Sequence, residues 1–370
     1  MFGTVLTTAV TLMNVYVFWR ACTVPFLKSH VPRAIIIGVG VVLWAIFYFN
    51  RVYGHDGTGT LAQALEFFGM NWLAALFLTT VCLLAMDLVT GFGFFVPRLA
   101  PLLRGWALAA GGMLSAIALV QGLRPPVVQS YQVSLSGLPA ELDGTVIVAL
   151  SDLHLGSLIG GRWLQARVAQ VQAEQPDVVV LLGDLVEGHG ESQEDLLPAF
   201  RRLTAPLGVW SVMGNHESYG RGNSTTSLLE EAGIRVLSDR WAEIRPGLVL
   251  AGVDNLSSRR RAAEAGDHIA KALTDRPPGA TILLSHMPLQ ADRAAAAGVG
   301  LMLCGHTHGG QIWPFGYLVK RAFPMLGGRY EVDGLTVIVC RGTGTGGPRM
   351  RLWRPGEILR VTLHGKGKRN

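Results

Sequence analysis

The 370-residue sequence predicts membrane-spanning helices followed by an α/β domain, and three observations predict it. The first third carries four apolar stretches near the ~20 residues that cross a hydrocarbon core. The remainder repeats six short runs rich in Val, Ile and Leu, each closing on polar residues: VIVALSDLH, DVVVLLGD, GVWSVMGNHE, LVLAGVDN, TILLSH and LMLCGHTH. Runs of that length suit buried strands, and the intervening GGRWLQARVAQVQAEQ has helical spacing of its apolar positions.

The four stretches run from about Thr4 to Trp19, Val31 to Asn50, Trp72 to Phe95, and Leu102 to Leu123. Between Thr4 and Leu123 the acids are Asp56, Glu66 and Asp87, against six basic residues. Arg104, near the start of the fourth stretch, can snorkel to the interface, and Asp87 is either a functional intramembrane acid or a carboxylate facing a polar neighbour near a span's end. The N-terminus lacks the positive region of a cleaved signal peptide, and further spans follow the first. Arg20, Lys28 and Arg33 lie between spans one and two, and Arg98 and Arg104 between spans three and four, with no acid in either loop. The loop from Asn50 to Asn71 offsets Arg51 with Asp56 and Glu66. Positive loops stay in the cytoplasm, so four spans place the domain after Leu123 outside it, on a multi-pass cell-membrane protein.

Arg124, Pro125 and Pro126 end the helical pattern, because the residue before proline disfavours helix and proline cannot donate its own backbone hydrogen bond. The expected division is residues 1–123 as a transmembrane domain of about four helices and 124–370 as a soluble domain. Of the net charge of +6, half falls in each part, so no basic domain emerges and nucleic acid is not expected as a partner. Arg259 to Arg261 and the tail with Lys366, Lys368 and Arg369 read as solvated faces. The four cysteines form no CxxC pair and leave the redox compartment open. The glycine-rich GTGTGG at Gly342 to Gly347 reads as a tight turn, because the rest of a nucleotide-binding pattern is missing around it.

Five of the six runs end in residues able to ligate metal: Asp152 and His154; Asp184; Asn215 and His216; His286; His306 and His308. Each has an ordinary explanation singly. Together they occupy one structural position, because α/β sheets bind ligands outside the carboxyl ends of their strands. Imidazole nitrogen with carboxylate oxygen suits first-row ions such as Mn, Fe or Zn. A central carboxylate, with Asp184 the candidate, can bridge two ions about 3.5–4 Å apart that clamp the attacking and leaving oxygens of a phosphoryl displacement. Metal-acidified water then supplies hydroxide, so no Ser or Cys nucleophile is needed. Gly183, Gly214 and Gly305 precede ligands at sharp strand exits, where glycine permits positive φ and close approach. His216 either points to substrate or packs behind the ligands.

These motifs resemble the calcineurin-like metallophosphoesterase superfamily, specifically a bacterial membrane-associated branch ending in GHTHGGQ. The matching pieces are Ser151-Asp152-Leu153-His154, Gly183-Asp184-Leu185-Val186-Glu187, Gly214-Asn215-His216-Glu217, Ser285-His286 and Gly305 to Gln311. The resemblance covers roughly Val127 to Val361. It implies a two-sheet β-sandwich flanked by helices behind the N-terminal transmembrane helices. It also implies one metal on Asp152, His154 and His308, a second on Asn215, His286 and His306, with Asp184 shared, and His216 as anion-stabilising or acid residue. Glu187 stands where the family often has Asp, at a position that does not itself ligate metal, and Glu217 shapes the loop behind Asn215 and His216.

The function expected from this is a membrane-anchored metal-dependent phosphoesterase with two divalent or mixed-valence ions. Its partners would be the lipid bilayer and a phosphorylated, lipid-linked substrate. The alternatives are a phosphodiesterase for soluble or cyclic nucleotides, a UDP-sugar-lipid pyrophosphatase, or a non-catalytic membrane receptor, the last opposed by a full set of seven ligands. His189 and His268 read as exposed and Cys304 as strand core. Trp313, Phe315, Lys320 and Arg321 read as core or rim packing rather than a lip for an amphiphile.

Overall fold

The computed structural model describes residues 2–54, 59–187, 193–219, 222–254 and 268–366; His189 and the Arg259 to Arg261 run lie outside them, as do Lys368 and Arg369. The chain forms two compact units, Met1–Arg124 with Gly347–Trp353, and Pro125–Gly346 with Arg354–Asn370.

The first unit contains α1 (Phe2–Ala21), α2 (Pro25–His30), α3 (Arg33–Phe49), α4 (Thr60–Val89) and α5 (Ala100–Leu123). Three stretches, Arg33–Tyr53, Thr60–Val89 and Ala100–Leu123, are long and apolar enough to cross a membrane. The first expected span falls within α1, which is not among those three over the described residues. The third expected span needs correcting: α4 begins at Thr60 rather than Trp72 and stops at Val89 rather than Phe95. Glu66 and Asn71, polar residues that read as loop, are buried along this helix, and left-handed Gly91 and Phe92 turn the chain away after it. A Cβ at Gly111 would stand 2.7 Å from Thr79 Cα, so α4 and α5 approach as closely as a glycine at the crossing allows.

Asp87 is fully buried and carries the polar centre of this unit. Tyr16 donates its hydroxyl at 2.6 Å, Arg104 its Nε at 2.8 Å, and Arg20 Nε lies 2.7 Å away. An unpaired carboxylate there would be expensive, and these partners tie α1, α4 and α5 together. The chain also returns to this unit at Gly347–Trp353. The Arg351 N–H donates to the Ala118 carbonyl and the Trp353 N–H to Gln121 Oε1, both at 2.9 Å. A Cβ at Gly122 would overlap the carbonyl of Arg349.

The second unit holds β1 (Val127–Leu135), β2 (Val146–Leu150), β3 (Val178–Leu181), β4 (Val209–Ser211), β5 (Arg235–Val236), β6 (Arg240–Arg245), β7 (Leu248–Gly252), β8 (Ala280–Leu284), β9 (Leu301–Cys304), β10 (Gly328–Val332), β11 (Leu335–Val339) and β12 (Glu357–Gly365). Its helices are α6 (Gly161–Ala173), α7 (Gln193–Phe200), α8 (Asn215–Tyr219), α9 (Gly222–Glu231), α10 (His268–Leu273), α11 (Ala291–Ala296) and α12 (Gly316–Ala322). Two six-stranded sheets result, ordered β1-β12-β2-β3-β4-β5 and β10-β11-β9-β8-β7-β6. β2 through β5 run parallel, as do β7, β8, β9 and β11.

Side chains alternate across each strand, which explains why the runs are apolar throughout. Ile147 and Ala149 of β2 and Val178 and Val180 of β3 face a core shared with Leu250, Ile282 and Leu303 of the other sheet. Val148, Leu150, Val179 and Leu181 pack instead with Leu164, Val168 and Phe200 of α6 and α7. Leu283, Met302 and Cys304 close the outer face of the second sheet against Ile269, Leu273 and Ala294. Both sheets are therefore covered on both sides, and their parallel strands send their carboxyl ends to the loops that bear the polar residues.

Candidate metal centre

Asp152 and His154 follow β2, Asp184 follows β3, Asn215 follows β4, His286 follows β8, and His306 and His308 follow β9. The structure gathers them into two clusters. In one, His154 Nε2 lies 3.0 Å from His308 Nε2, which is 3.3 Å from Asp152 Oδ1. In the other, His286 Nε2 lies 3.1 Å from Asp184 Oδ2 and 3.2 Å from both Asn215 Oδ1 and His306 Nδ1.

The donor set fits a cation at each cluster. His286 Nδ1 is 2.8 Å from the Leu182 carbonyl, which only accepts, so Nδ1 carries a proton and Nε2 aims a lone pair at three further acceptors. Without a metal the ring takes a second proton. Burial opposes that proton, but the Asp184 charge and hydrogen bond outweigh it and hold His286 at about 9. His306, buried beside His286, is pushed down to about 4. Burial raises Asp152 and the neighbouring Asp184 charge adds to that, whereas His286 and His154 overcome burial at Asp184 and hold it far below the usual carboxylate range. At His286 that second proton stands where a positive ion would satisfy several donors at once, while Asp184 and His306 are held toward the proton-free forms that bind a cation.

The surroundings fix each ligand atom. Asp152 Oδ2 takes the Ser151 hydroxyl and shares the His306 N–H with Oδ1, at 3.0 and 3.2 Å, and Oδ1 also faces His308 Nε2. Glu187 joins two histidines at the mouth: one oxygen binds His154 Nδ1 and the other lies 2.7 Å from His216 Nδ1. A carboxylate on Nδ1 sets the tautomer and turns Nε2 outward. Glu217 is buried and accepts backbone N–H groups of Asp184, Leu185, Val186 and Gly214 at 2.5–3.2 Å, gripping the loops that carry Asp184 and Asn215.

The glycine-rich loop does more than turn. The Gly344 N–H donates to the Asp152 carbonyl at 3.0 Å, and a Cβ at Gly346 would stand 3.1 Å from His308 Nε2 and 3.4 Å from His154 Nε2. Gln311 holds Gly346 with both ends of its amide, at 3.1 Å each. The GTGTGG run and the glutamine closing GHTHGGQ were the sequence signals for this wall. The three glycines at strand exits divide the two expected roles, positive φ and close approach. Only Gly183 has positive φ, +87°; a Cβ at Gly214 would overlap Asp184 and one at Gly305 would overlap Ser151. Five of the candidate ligands, Asp152, His154, Asp184, His306 and His308, are left-handed, a costly conformation for side-chain-bearing residues that clusters at functional sites. His268 is likewise corrected: it is buried, with Nδ1 2.8 Å from Asp239.

Burial works against a proton on His216, but the hydrogen bond and charge of Glu187 outweigh it and hold the ring at about 9, with 37% of its side chain open to solvent. Replacing it, His216→Ala, should lower kcat by about a hundredfold, the scale of one lost general acid, while metal analysis still finds both ions. Loss of the ions would make it a ligand instead.

Two layers of buried sheet thus carry at their strand ends paired clusters of His and Asp that could hold metal ions. Residues 145–310 match the Calcineurin-like phosphoesterase family. A relative from Aquifex aeolicus, described as an uncharacterized metallophosphoesterase, is 35% identical over 249 residues, which is 65% of this chain and 92% of the relative. A Danio rerio protein described as a transmembrane protein with metallophosphoesterase domain is 34% identical over 269 residues, 70% of this chain but only 62% of that relative. Among solved structures, a dimetal phosphatase from Danio rerio is 15% identical, with a TM-score of 0.37, covering 60% of this chain and 93% of that one. The chain belongs to the calcineurin-like metallophosphoesterase family, and with it to the phosphoester hydrolases.

Proposed function

We propose that the chain is a membrane-anchored phosphoesterase that uses two metal ions, Mn, Fe or Zn, to hydrolyse a lipid-linked phosphate ester or pyrophosphate. The observation that carries the metal chemistry is the inward aim of His154 and His286, each with Nδ1 committed to an acceptor and Nε2 facing other ligand atoms. Asp152, His154 and His308 would hold one ion and Asn215, His286 and His306 the other, with Asp184 between them. The ions supply Lewis acidity toward phosphoryl oxygens and acidify water near neutrality. His216, its Nδ1 fixed by Glu187, presents Nε2 to the substrate, where it binds an oxygen or gives a proton to the leaving group. Bound dications would draw its pKa down from about 9 toward the operating range.

The lipid clause is supported by three helices of spanning length and by relatives from Danio rerio and Bos taurus that are named transmembrane proteins. Arg20 and Arg104 are paired with Asp87, but Lys28, Arg33 and Arg98 still favour a cytoplasmic side for their loops. With α1 as a fourth span, the catalytic domain is extracytoplasmic and reaches lipid phosphate in the outer leaflet. A substrate panel with the purified intact protein and Mn²⁺ tests the reading. Hydrolysis of lipid phosphates, followed by chromatography of the products, should exceed that of cyclic nucleotides to nucleoside monophosphates and of UDP-sugar lipids to UMP. A C-terminal alkaline-phosphatase fusion should be active in cells; a dark phosphatase with a bright green-fluorescent fusion would place the site in the cytoplasm and favour nucleotide-linked substrates.

A further inference from the structure

We propose that residues 313–321 form a lip that seats on an anionic phospholipid surface beside the metal centre, an inference that rests on the lipid-phosphate reading above. Of core and rim packing, the exposure excludes the core: Trp313 and Phe315 are both 47% exposed, and Tyr317 and Leu318 beside them are 69% and 58% exposed. Four large apolar side chains in six positions of a water-soluble face would be a liability, whereas Trp and Tyr with a basic neighbour suit the boundary between headgroups and acyl chains. Lys320 and Arg321 are exposed on α12 and share a face with Tyr317 at helical spacing. From Gly309 to Tyr330 there is no acidic residue, so the charge of this surface complements lipid phosphate.

The lip is also bound to the site at both ends. It follows directly on His308, and a Cβ at Gly310 would overlap Gly316 Cα, so the start of α12 is pressed onto the ligand turn. At the far end the Phe323 ring meets the His306 ring edge-on, with centroids 4.6 Å apart. Thr307, between the two histidine ligands, donates its hydroxyl to the Leu326 carbonyl at 2.6 Å. A phosphate at the surface that the lip touches is therefore beside the histidines of both clusters.

The test uses the full chain in phosphatidylcholine vesicles with and without phosphatidylglycerol. An environment-sensitive label on Tyr317→Cys is compared with one on Glu141→Cys, the signal of the unsubstituted protein being subtracted. Doxyl-labelled lipid should quench the label at 317 at least about twofold more than that at 141, more strongly with phosphatidylglycerol, and the added charge reversals Lys320→Glu and Arg321→Glu should remove that preference. Equal quenching at the two positions overturns the lip, as does quenching indifferent to phosphatidylglycerol. Quenching at 317 without release of lipid phosphate keeps the lip and removes the lipid-substrate reading, while release without quenching does the reverse.

Discussion

Asp184→Asn is expected to leave the protein folded while cutting kcat/KM by roughly 10³-fold or more, the several kcal/mol that a metal clamp contributes to phosphoryl transfer. The substitution is nearly isosteric. Asp184 Oδ1 accepts the His216 N–H at 2.9 Å, and an amide oxygen preserves that bond. What goes is the negative charge, together with the acceptor that stands 3.1 Å from His286 Nε2. That charge and hydrogen bond raise His286 to about 9 against burial, so the variant should also carry one proton fewer in its metal-free site. Elemental analysis of metal content, circular dichroism and hydrolysis at saturating Mn²⁺ separate the cases. Wild-type turnover with both ions bound would remove Asp184 from the mechanism.

What the sequence made legible was local. A run of Val, Ile and Leu buried on both faces announces a parallel strand, and a candidate ligand at its carboxyl end needs only that strand to be positioned. That covers Asp152, Asp184, Asn215, His286, His306 and His308 without any knowledge of pairing. Arg124 before Pro125 likewise ended α5 where expected, its ψ of 151° being the extended conformation that a following proline demands. Interactions between distant segments left no such trace. Nothing local announced the partners of Glu187, because its bonds go to His154 and His216, 33 and 29 positions away. Gln311 gripping Gly346, and the glycine loop along Ser151 and Asp152, unite segments that no periodicity connects. Glu66 and Asn71 misled in the opposite sense: polar residues suggested a loop, but a long helix runs through both and buries them without breaking.

Gly214→Ala should be nearly as damaging to turnover as the loss of Asp184, and it should also lower stability. The backbone at Gly214 lies outside the left-handed region, so alanine meets no penalty of φ there. The obstacle is space. A Cβ would overlap the Asp184 carboxylate and come within 2.5 Å of its backbone nitrogen, and neither is the yielding end of a flexible side chain. The Gly214 N–H is also held by Glu217 at 2.7 Å, and Glu217 holds Asp184 and Leu185 on the other loop, so the two loops cannot part without breaking that grip. Overpacking of this kind costs roughly 2 kcal/mol, which is about 4–8 °C in Tm for a domain of this size. Gly233→Ala is the control: its surroundings are open, its φ is +81°, and it lies away from the ligands, so it should bring modest strain with full turnover. Thermal melts and hydrolysis rates of both variants decide the matter. Wild-type turnover and Tm in Gly214→Ala would show that the ligand loops are not as closely apposed as drawn.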